Sequence, residues 1–166
     1  MSLHALTHAK APWTHLLAAT PSDACDALGG LESSAANRLV ARLIRGRKST
    51  TREAFFDESA AALQFPYYFG ENCDAFNDCI TDLSWLRADA VVICVSDANR
   101  LLDAAPAEQL ERFAAVIDNA ATRWNKPEKG QLARPFHVVL QVAPGEEAAQ
   151  EKRMQAAGMK LGRVKI

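Results

Sequence analysis

The chain has 166 residues, 23% of them charged, which suits a single soluble domain (residues 1–166) long enough to bury a core. Its formal net charge of −1 argues against direct nucleic-acid binding through bulk positive charge. No apolar run approaches the roughly 18–20 residues of a membrane-spanning helix, and the N-terminus lacks the apolar segment of a signal peptide. The four cysteines show neither a CxxC pair nor metal-site spacing. We therefore expect a cytoplasmic protein with reduced thiols and without a metal or cofactor.

The small net charge hides three regions of different sign. Residues 1–52 carry seven basic and three acidic side chains, residues 53–103 carry two and ten, and residues 104–166 carry ten and seven. The net charges of these regions are therefore +4, −8 and +3. A function for this chain has to account for the acidic middle third.

The first 37 residues are predicted to be a largely irregular N-terminal extension. Within them, Trp13–Ala19 is predicted as a short strand. Ser22–Leu28 is predicted as a short helix that ends before Gly29 and Gly30, because glycine is a poor helix former.

Three short apolar runs predict the strands of a sheet. They span Leu39–Ile44, Val91–Val95 and Phe136–Val142, and the last two are almost continuously apolar and β-branched, as in strands covered on both faces. Helices are predicted between the runs, so the pattern indicates an α/β fold with a small three-stranded parallel sheet and right-handed crossovers. His137 lies inside the third run, and we expect it to be a structural histidine.

Helices are predicted between and after these strands, and the sequence indicates some of them more clearly than others. Pro106–Trp124 is the clearest, since apolar residues recur at 3.6-residue spacing and a proline suits the first turn. A polar connection containing Pro127 and Gly130 follows over Asn125–Pro135, and Leu161–Ile166 is strand-like. The other predicted helices are Thr50–Leu63, Asn72–Leu83 and Glu146–Ala157, the last of them ended by Gly158.

The most informative segment is the helix predicted from Asn72, a residue type that caps helix N-termini well. Asp74, Asp78 and Asp82 fall at i, i+4 and i+8, which places three carboxylates on one face. An aromatic loop containing Tyr67 precedes the helix. Exposed carboxylates beside exposed aromatics are typical of a surface that binds a cationic protein partner.

A solvated helix face is the plain alternative for any run of charges, and two observations weaken it here. Like charges at i, i+4 repel by roughly 0.2–0.5 kcal/mol per pair. No Lys or Arg occurs between Asp57 and Leu86 to offset that repulsion. The sequence therefore carries a cost to stability that a binding function would explain.

This segment resembles the central motif of the barstar family, intracellular inhibitors of the ribonuclease barnase. The resemblance covers the loop Pro66–Asn72 and the helix Asp74–Thr81 without a gap. The wider order of strands and helices resembles that family over roughly residues 38–142, which would form the core. Residues 1–37 and 143–166 lie outside the resemblance as N- and C-terminal extensions.

The resemblance implies a non-enzymatic inhibitor of the antitoxin or immunity type, with a basic extracellular-type or toxin ribonuclease as its partner. The acidic helix would block the active site with carboxylates in place of RNA phosphates. By motif position, Asp78 would be the main phosphate mimic, Asp74 would pair with a second cation, Tyr68 would pack beside the catalytic histidine and Asn72 would contact a loop. The remaining partner-binding residues expected from the motif are Tyr67, Gly70, Asn77 and Asp82.

Four positions depart from the family pattern. Asn77 and Leu83 stand where the family has tryptophans, Asn119 lies near the position of a further acidic contact, and Asp82 replaces a glycine. The two central aspartates are kept, so the resemblance implies that inhibition is retained while the cognate enzyme differs.

Two functions of other classes stay open at this point. A structural or regulatory module of the same fold would bind a non-ribonuclease basic partner or self-associate through the extensions. A small hydrolase would use Asp74 and Asp78, and would need a pocket that raises a carboxyl pKa. The sequence leaves the oligomeric state, the affinity and the identity of the partner open.

Overall fold

A parallel β-sheet with helices on both faces forms the centre of the molecule. The computed structural model describes residues 1–126 and 132–166. Within them, five strands lie in the spatial order β2-β3-β4-β1-β5, and every neighbouring pair is parallel. The strands are β1 (Thr14–Ala18), β2 (Leu39–Arg45), β3 (Ala90–Ser96), β4 (Phe136–Val142) and β5 (Leu161–Arg163).

The helices are distributed unequally between the two faces of the sheet. The α-helices of the described residues are α1 (Pro21–Ser34), α2 (Arg52–Leu63), α3 (Cys73–Asp82), α4 (Ala107–Asn125) and α5 (Glu147–Ala156). Buried side chains of α2, α3, α4 and α5 share one hydrophobic cluster with one face of the sheet. Those of α1 and of the 3-10 turn Leu3–Thr7 share a second cluster with the opposite face.

The direction of the chain explains this distribution. From β2 through β3 and β4 to β5 the chain advances in one direction along the sheet, whereas from β1 to β2 it travels back. Crossovers between parallel strands share one hand. A connection that runs backwards must therefore cross the opposite face, which is where α1 lies.

The expectation of a three-stranded sheet was wrong, because both extensions contribute a strand. All seven residues of β4 are buried, which an edge strand of a three-stranded sheet would not allow. β1 pairs with that edge over Val138–Val142, and β5 then pairs with β1. The strand predicted over Trp13–Ala19 is confirmed as β1, and the strand-like C-terminal end is a strand over Leu161–Arg163 only.

Helix α1 is longer than predicted, since it continues through Gly29 and Gly30 to Ser34. Thr20 caps it by accepting a hydrogen bond from the Asp23 backbone N–H at 3.1 Å. Both glycines are exposed, and Leu31 beyond them is buried on the same apolar face as Leu28. Burial of that face outweighs the low helix propensity of glycine, roughly 1 kcal/mol per residue.

The other predicted helices begin and end within two residues of the observed ones. Among the predicted connections, the segment Asn125–Pro135 begins one residue too early. Its first residue is the last residue of α4. Pro127 and Gly130 lie outside the described residues.

His137 is buried in β4 as a structural histidine, as expected. Its Nδ1 lies 3.0 Å from Nε2 of His15 in β1, and its Nε2 lies 2.9 Å from the carbonyl oxygen of His8. A carbonyl can only accept, so the His137 Nε2–H donates to His8 and its Nδ1 accepts from the His15 Nε2–H. This chain of hydrogen bonds joins the N-terminal extension to the centre of the sheet.

Candidate protein-binding site on α3

The N-terminus of α3 is built by Asn72, which is extended at φ −136°. Its Oδ1 accepts from the backbone N–H of Ala75 at 2.9 Å, and its Nδ2 donates to the carbonyl of Gly70 at 3.0 Å. Both ends of the amide are thus used to cap the helix and to tie the preceding loop to it. A Cβ on Gly70 would lie 3.1 Å from Asn72 Nδ2, so a side chain there would press on the cap.

The aromatic loop before the helix is a turn with two buried anchors and two projecting tyrosines. The Phe69 backbone N–H donates to the Pro66 carbonyl at 2.9 Å, which closes the turn. The rings of Phe65 and Phe69 lie 4.9 Å apart edge to face and pack against the hydrophobic core. Tyr67 and Tyr68 occupy the two central positions, where the first is fully exposed and the second 65% exposed.

Helix α3 separates apolar and acidic residues onto opposite faces. Phe76 and Ile80 are buried against the core, while Asp74, Asp78 and Asp82 are exposed. At 1.5 Å per residue the three carboxylates extend over about 12 Å of helix. The name "acidic face" is used below for these three aspartates.

Leu83 ends α3 in a left-handed conformation, at φ 43°, and is 1% exposed. The position at which the family resemblance would place a partner contact is therefore part of the core here. A partner cannot reach the Leu83 side chain while the core stays closed.

The acidic face has no ion-pair partner within the described residues. None of their salt bridges includes Asp74, Asp78 or Asp82. The negative charge has a local effect, since burial raises the pKa of the Cys79 thiol and the charges of Asp78 and Asp82 raise it further. Within the described residues, no basic side chain of the two extensions forms an ion pair with this face.

Four acidic residues elsewhere in the middle third form ion pairs with arginines. Glu58 receives Arg45 in a bidentate pair, with Nε–Oε1 at 2.6 Å and NH2–Oε2 at 2.8 Å. Asp97 lies 2.9 Å from Arg47 Nε. Two further carboxylates pair with arginines next to or near them in sequence: Glu53 with Arg52, and Asp103 with Arg100. Asp57, Glu71 and Asp89 are outside these ion pairs as well, but only on α3 do three unpaired carboxylates share one helix face.

Asn77 is a predicted contact residue whose side chain is hydrogen-bonded to another helix. Its Oδ1 accepts from Nδ2 of Asn119 in α4 at 2.7 Å. The indole Nε1 of Trp124 donates to the Ile80 carbonyl at 3.2 Å, also between α3 and α4. Sequence reasoning noted Asn77 and Asn119 as separate departures from the family pattern and missed that they meet, because 42 residues separate them.

The larger cavities of the described residues lie away from the acidic face. The largest, about 670 Å³, lies between the opposite side of α4 and the two extensions, with Trp13, Asp118 and Lys160 in its wall. Another of about 550 Å³ lies at the carboxyl end of β1 beside Thr20 and Pro144. Neither contains Asp74 or Asp78, so the pocket that a carboxylate-dependent hydrolase needs is not found in either of them.

The described residues lack two features that would point to other functions. They contain no group of three or more His, Cys, Asp and Glu side chains placed to hold a metal ion. None of their helices combines the length and the apolar character that crossing a bilayer requires.

Comparison with known proteins identifies a family. The family model described as Barstar (barnase inhibitor) matches residues 39–141, which contain α3 and its loop. A comparison with curated proteins found no match.

Comparison with solved structures found distant similarity. A chain from the Drosophila ORC structure bound to AT-rich DNA and Cdc6 has 11% identity and a TM-score of 0.47, over 96% of this chain and 50% of that one. A chain from the structure bound to GC-rich DNA and Cdc6 has 15% identity and a TM-score of 0.48, over 92% and 25%. This protein thus spans half or less of those chains. The family match covers most of the chain, and on that ground the chain belongs to the barstar family of barnase inhibitors.

Proposed function

We propose that this protein inhibits a basic ribonuclease by inserting the acidic face of α3 into the active site of the enzyme. Membership of an inhibitor family supports the general activity. The observation that carries the specific proposal is that Asp74, Asp78 and Asp82 are exposed and lack ion-pair partners within the described residues. Like charges at helical spacing destabilise a fold, so their retention favours a role in binding.

The helix presents these charges in a form that suits a phosphate-binding cleft. Residues at i and i+4 have their Cβ atoms about 5–6 Å apart, so Asp74 and Asp78 offer two negative charges at a fixed spacing. Their helix is held by the Asn72 cap and by packing against α4, so little conformational entropy remains to be lost on binding. No ion pair of the described residues has to be broken first.

The projecting tyrosines supply the apolar part of the proposed interface. Phe65 and Phe69 anchor the turn in the core, so Tyr67 and Tyr68 are presented on a fixed support. Aromatic side chains bury about 150–250 Å² each and are frequent energetic centres of protein interfaces. We assign Tyr68 to contact beside the catalytic histidine of the enzyme, and Tyr67 to the rim.

The individual roles follow the motif positions. Asp78 occupies the phosphate site of the enzyme, Asp74 pairs with a second cation, and Asp82 extends the negative surface by one turn. Gly70 and Asn72 hold the loop and contact the edge of the enzyme. In this proposal the protein is an antitoxin or immunity factor without enzymatic activity, acts in the cytoplasm and protects against a secreted or toxin ribonuclease.

The test is inhibition of barnase and other small basic ribonucleases by the wild-type chain and by two variants. We expect Asp78→Ala to weaken inhibition at least about 100-fold, because it removes one partner of a desolvated charge pair. Its melting temperature should stay within a degree or two of wild type. Asp26→Ala is the matched control, since Asp26 is an exposed aspartate of α1 on the opposite face of the sheet.

Equal inhibition by Asp78→Ala and wild type would overturn the proposal. Capture of a basic protein that is not a nuclease, with the same sensitivity to Asp78→Ala, would favour the regulatory alternative. Size measurement of the free chain then decides whether the extensions mediate self-association.

A further inference from the structure

A hydrogen bond between two helices fixes a side chain at the edge of the acidic face. Asn77 follows Asp74 by three residues, so it lies beside that carboxylate, on the side of α3 that faces α4. Its Oδ1 accepts from Nδ2 of Asn119 at 2.7 Å. Because α4 is packed against α3 along this contact, the orientation of the Asn77 amide is determined by α4.

The hydrogen bond leaves one end of Asn77 available. A carboxamide has one acceptor oxygen and an NH2 group with two donors, and here the oxygen is already used. The NH2 group has no acceptor within the described residues. It lies beside the Asp74 carboxylate, whose negative charge favours a donor over an acceptor at that place. The outward group of Asn77 is therefore a hydrogen-bond donor.

We infer that Asn77, oriented by Asn119, is a specificity-determining residue, and that the cognate ribonuclease carries an acceptor oxygen beside the cation that receives Asp74. This inference rests on the proposed function. A cleft lined only by cations would bury the Asn77 NH2 without a partner. A buried unsatisfied donor costs affinity by about tenfold or more, so such an enzyme is rejected while the matching one is kept.

The sharpest variant is Asn119→Asp, which keeps the shape of the side chain. A carboxylate can only accept, so Asn77 must turn and donate to it, and its oxygen then points outward. The bridge between the helices is retained while the polarity offered to the partner is inverted. A purely structural role for Asn119 would leave the complex unchanged. A role in orienting Asn77 predicts dissociation at least about tenfold faster.

The added negative charge needs its own control. Thr122→Asp places the same charge further along α4, where Thr122 lines the cavity that also contains Asp118. Both variants are compared with wild type by stopped-flow association and by dissociation into excess competitor, using the ribonuclease of the panel that wild type inhibits best. We expect neither variant to associate more slowly, and only Asn119→Asp to dissociate faster.

The bridge itself is tested in the free protein. In ¹⁵N-edited spectra the Asn119 side-chain NH2 should exchange with water several-fold more slowly than that of Asn37, which is exposed. The Asn77→Ala variant should abolish this protection. Equal exchange of Asn119 and Asn37 in wild type would overturn the inference without any binding experiment.

The proposed function and the inference about Asn77 can be refuted independently. If Asp78→Ala weakens binding and Asn119→Asp dissociates at the wild-type rate, the inference is wrong and the proposed function stands. If Asp78→Ala has no effect, or no ribonuclease of the panel binds, the proposed function is wrong and the inference falls with it.

Discussion

The acidic middle third of the chain contains two regions in which carboxylates have different surroundings. Where β2 and β3 end, Glu58 and Asp97 each lie within hydrogen-bond distance of an arginine. On α3, Asp74, Asp78 and Asp82 have no such partner among the described residues. The same residue types thus stabilise the fold in one region and leave a charged surface open in the other. Counting charges along the sequence cannot separate the two roles, because pairing depends on contacts in space.

Glu58 illustrates the stabilising role. Its Oε1 accepts from the backbone N–H of Arg45 at 3.1 Å as well as from the guanidinium. β2 is an edge strand, and Glu58 thereby covers one of its open N–H groups. The hydrogen bond from Arg45 lowers the pKa of Glu58.

The largest expected effect is a loss of fold stability in acid. It arises at two buried histidines of the sheet, His15 in β1 and His137 in β4, and not on α3. Burial lowers the pKa of His15 from 6.5 to about 4, and burial also lowers that of His137. The unfolded chain therefore binds more protons than the folded one below pH 6.5, and stability falls from that pH towards 4. For His15 the loss is about 3 kcal/mol.

Chemical unfolding at pH 7, 5.5 and 4, with NMR titration of the His15 ring, measures this effect. A His15 midpoint near 6.5, or a free energy of unfolding that does not change between pH 7 and 4, would contradict the expectation.

The next-largest effect is expected at Glu58, where a carboxylate stabilises the fold. Glu58→Ala removes the acceptor for the Arg45 backbone and side chain, and should lower the free energy of unfolding by about 1–2 kcal/mol, after allowance for the exposure of Arg45 to water. Inhibition of the ribonuclease should be unchanged. Asp57→Ala is the control, since Asp57 is an exposed carboxylate of the same helix that no ion pair of the described residues includes. Weaker inhibition by Glu58→Ala in the folded variant would show that the two regions are coupled.

The smallest effect on the free energy of unfolding is expected for Asp82, on the acidic face. Asp82 is the last residue of α3, where the helix dipole disfavours a negative charge, and it follows Asp78 by four residues. Asp82→Ala should therefore raise the free energy of unfolding by a few tenths of a kcal/mol, on the order of the helix-pair energies. Replicate urea titrations of the two proteins side by side resolve that difference. A loss of stability would show that Asp82 has a stabilising partner.

Local patterns could be predicted from the sequence and distant pairings could not. The cap at Asn72, the acidic face and the burial of Phe76 and Ile80 follow from spacing within a dozen residues. Pairing of β1 with β4 joins Thr14 to Val138, and no local signal identifies a strand partner so far away. The hydrogen bond between Asn77 and Asn119 could not be predicted for the same reason.

The prediction of where α1 ends was wrong for a different physical reason. Propensity placed the end of the helix before Gly29, whereas burial of Leu31 extends it to Ser34. Tertiary packing outweighed local preference there.

The central claim is that the unpaired charges of α3 attract and bind a basic ribonuclease. The most direct test is the association rate constant of the wild-type chain with the ribonuclease that it inhibits, measured from about 20 mM to 0.5 M salt, where the Debye length falls from about 20 Å to about 4 Å. The account predicts a decrease of at least about tenfold over this range, with a smaller decrease for Asp78→Ala. An association rate that does not depend on salt would contradict it.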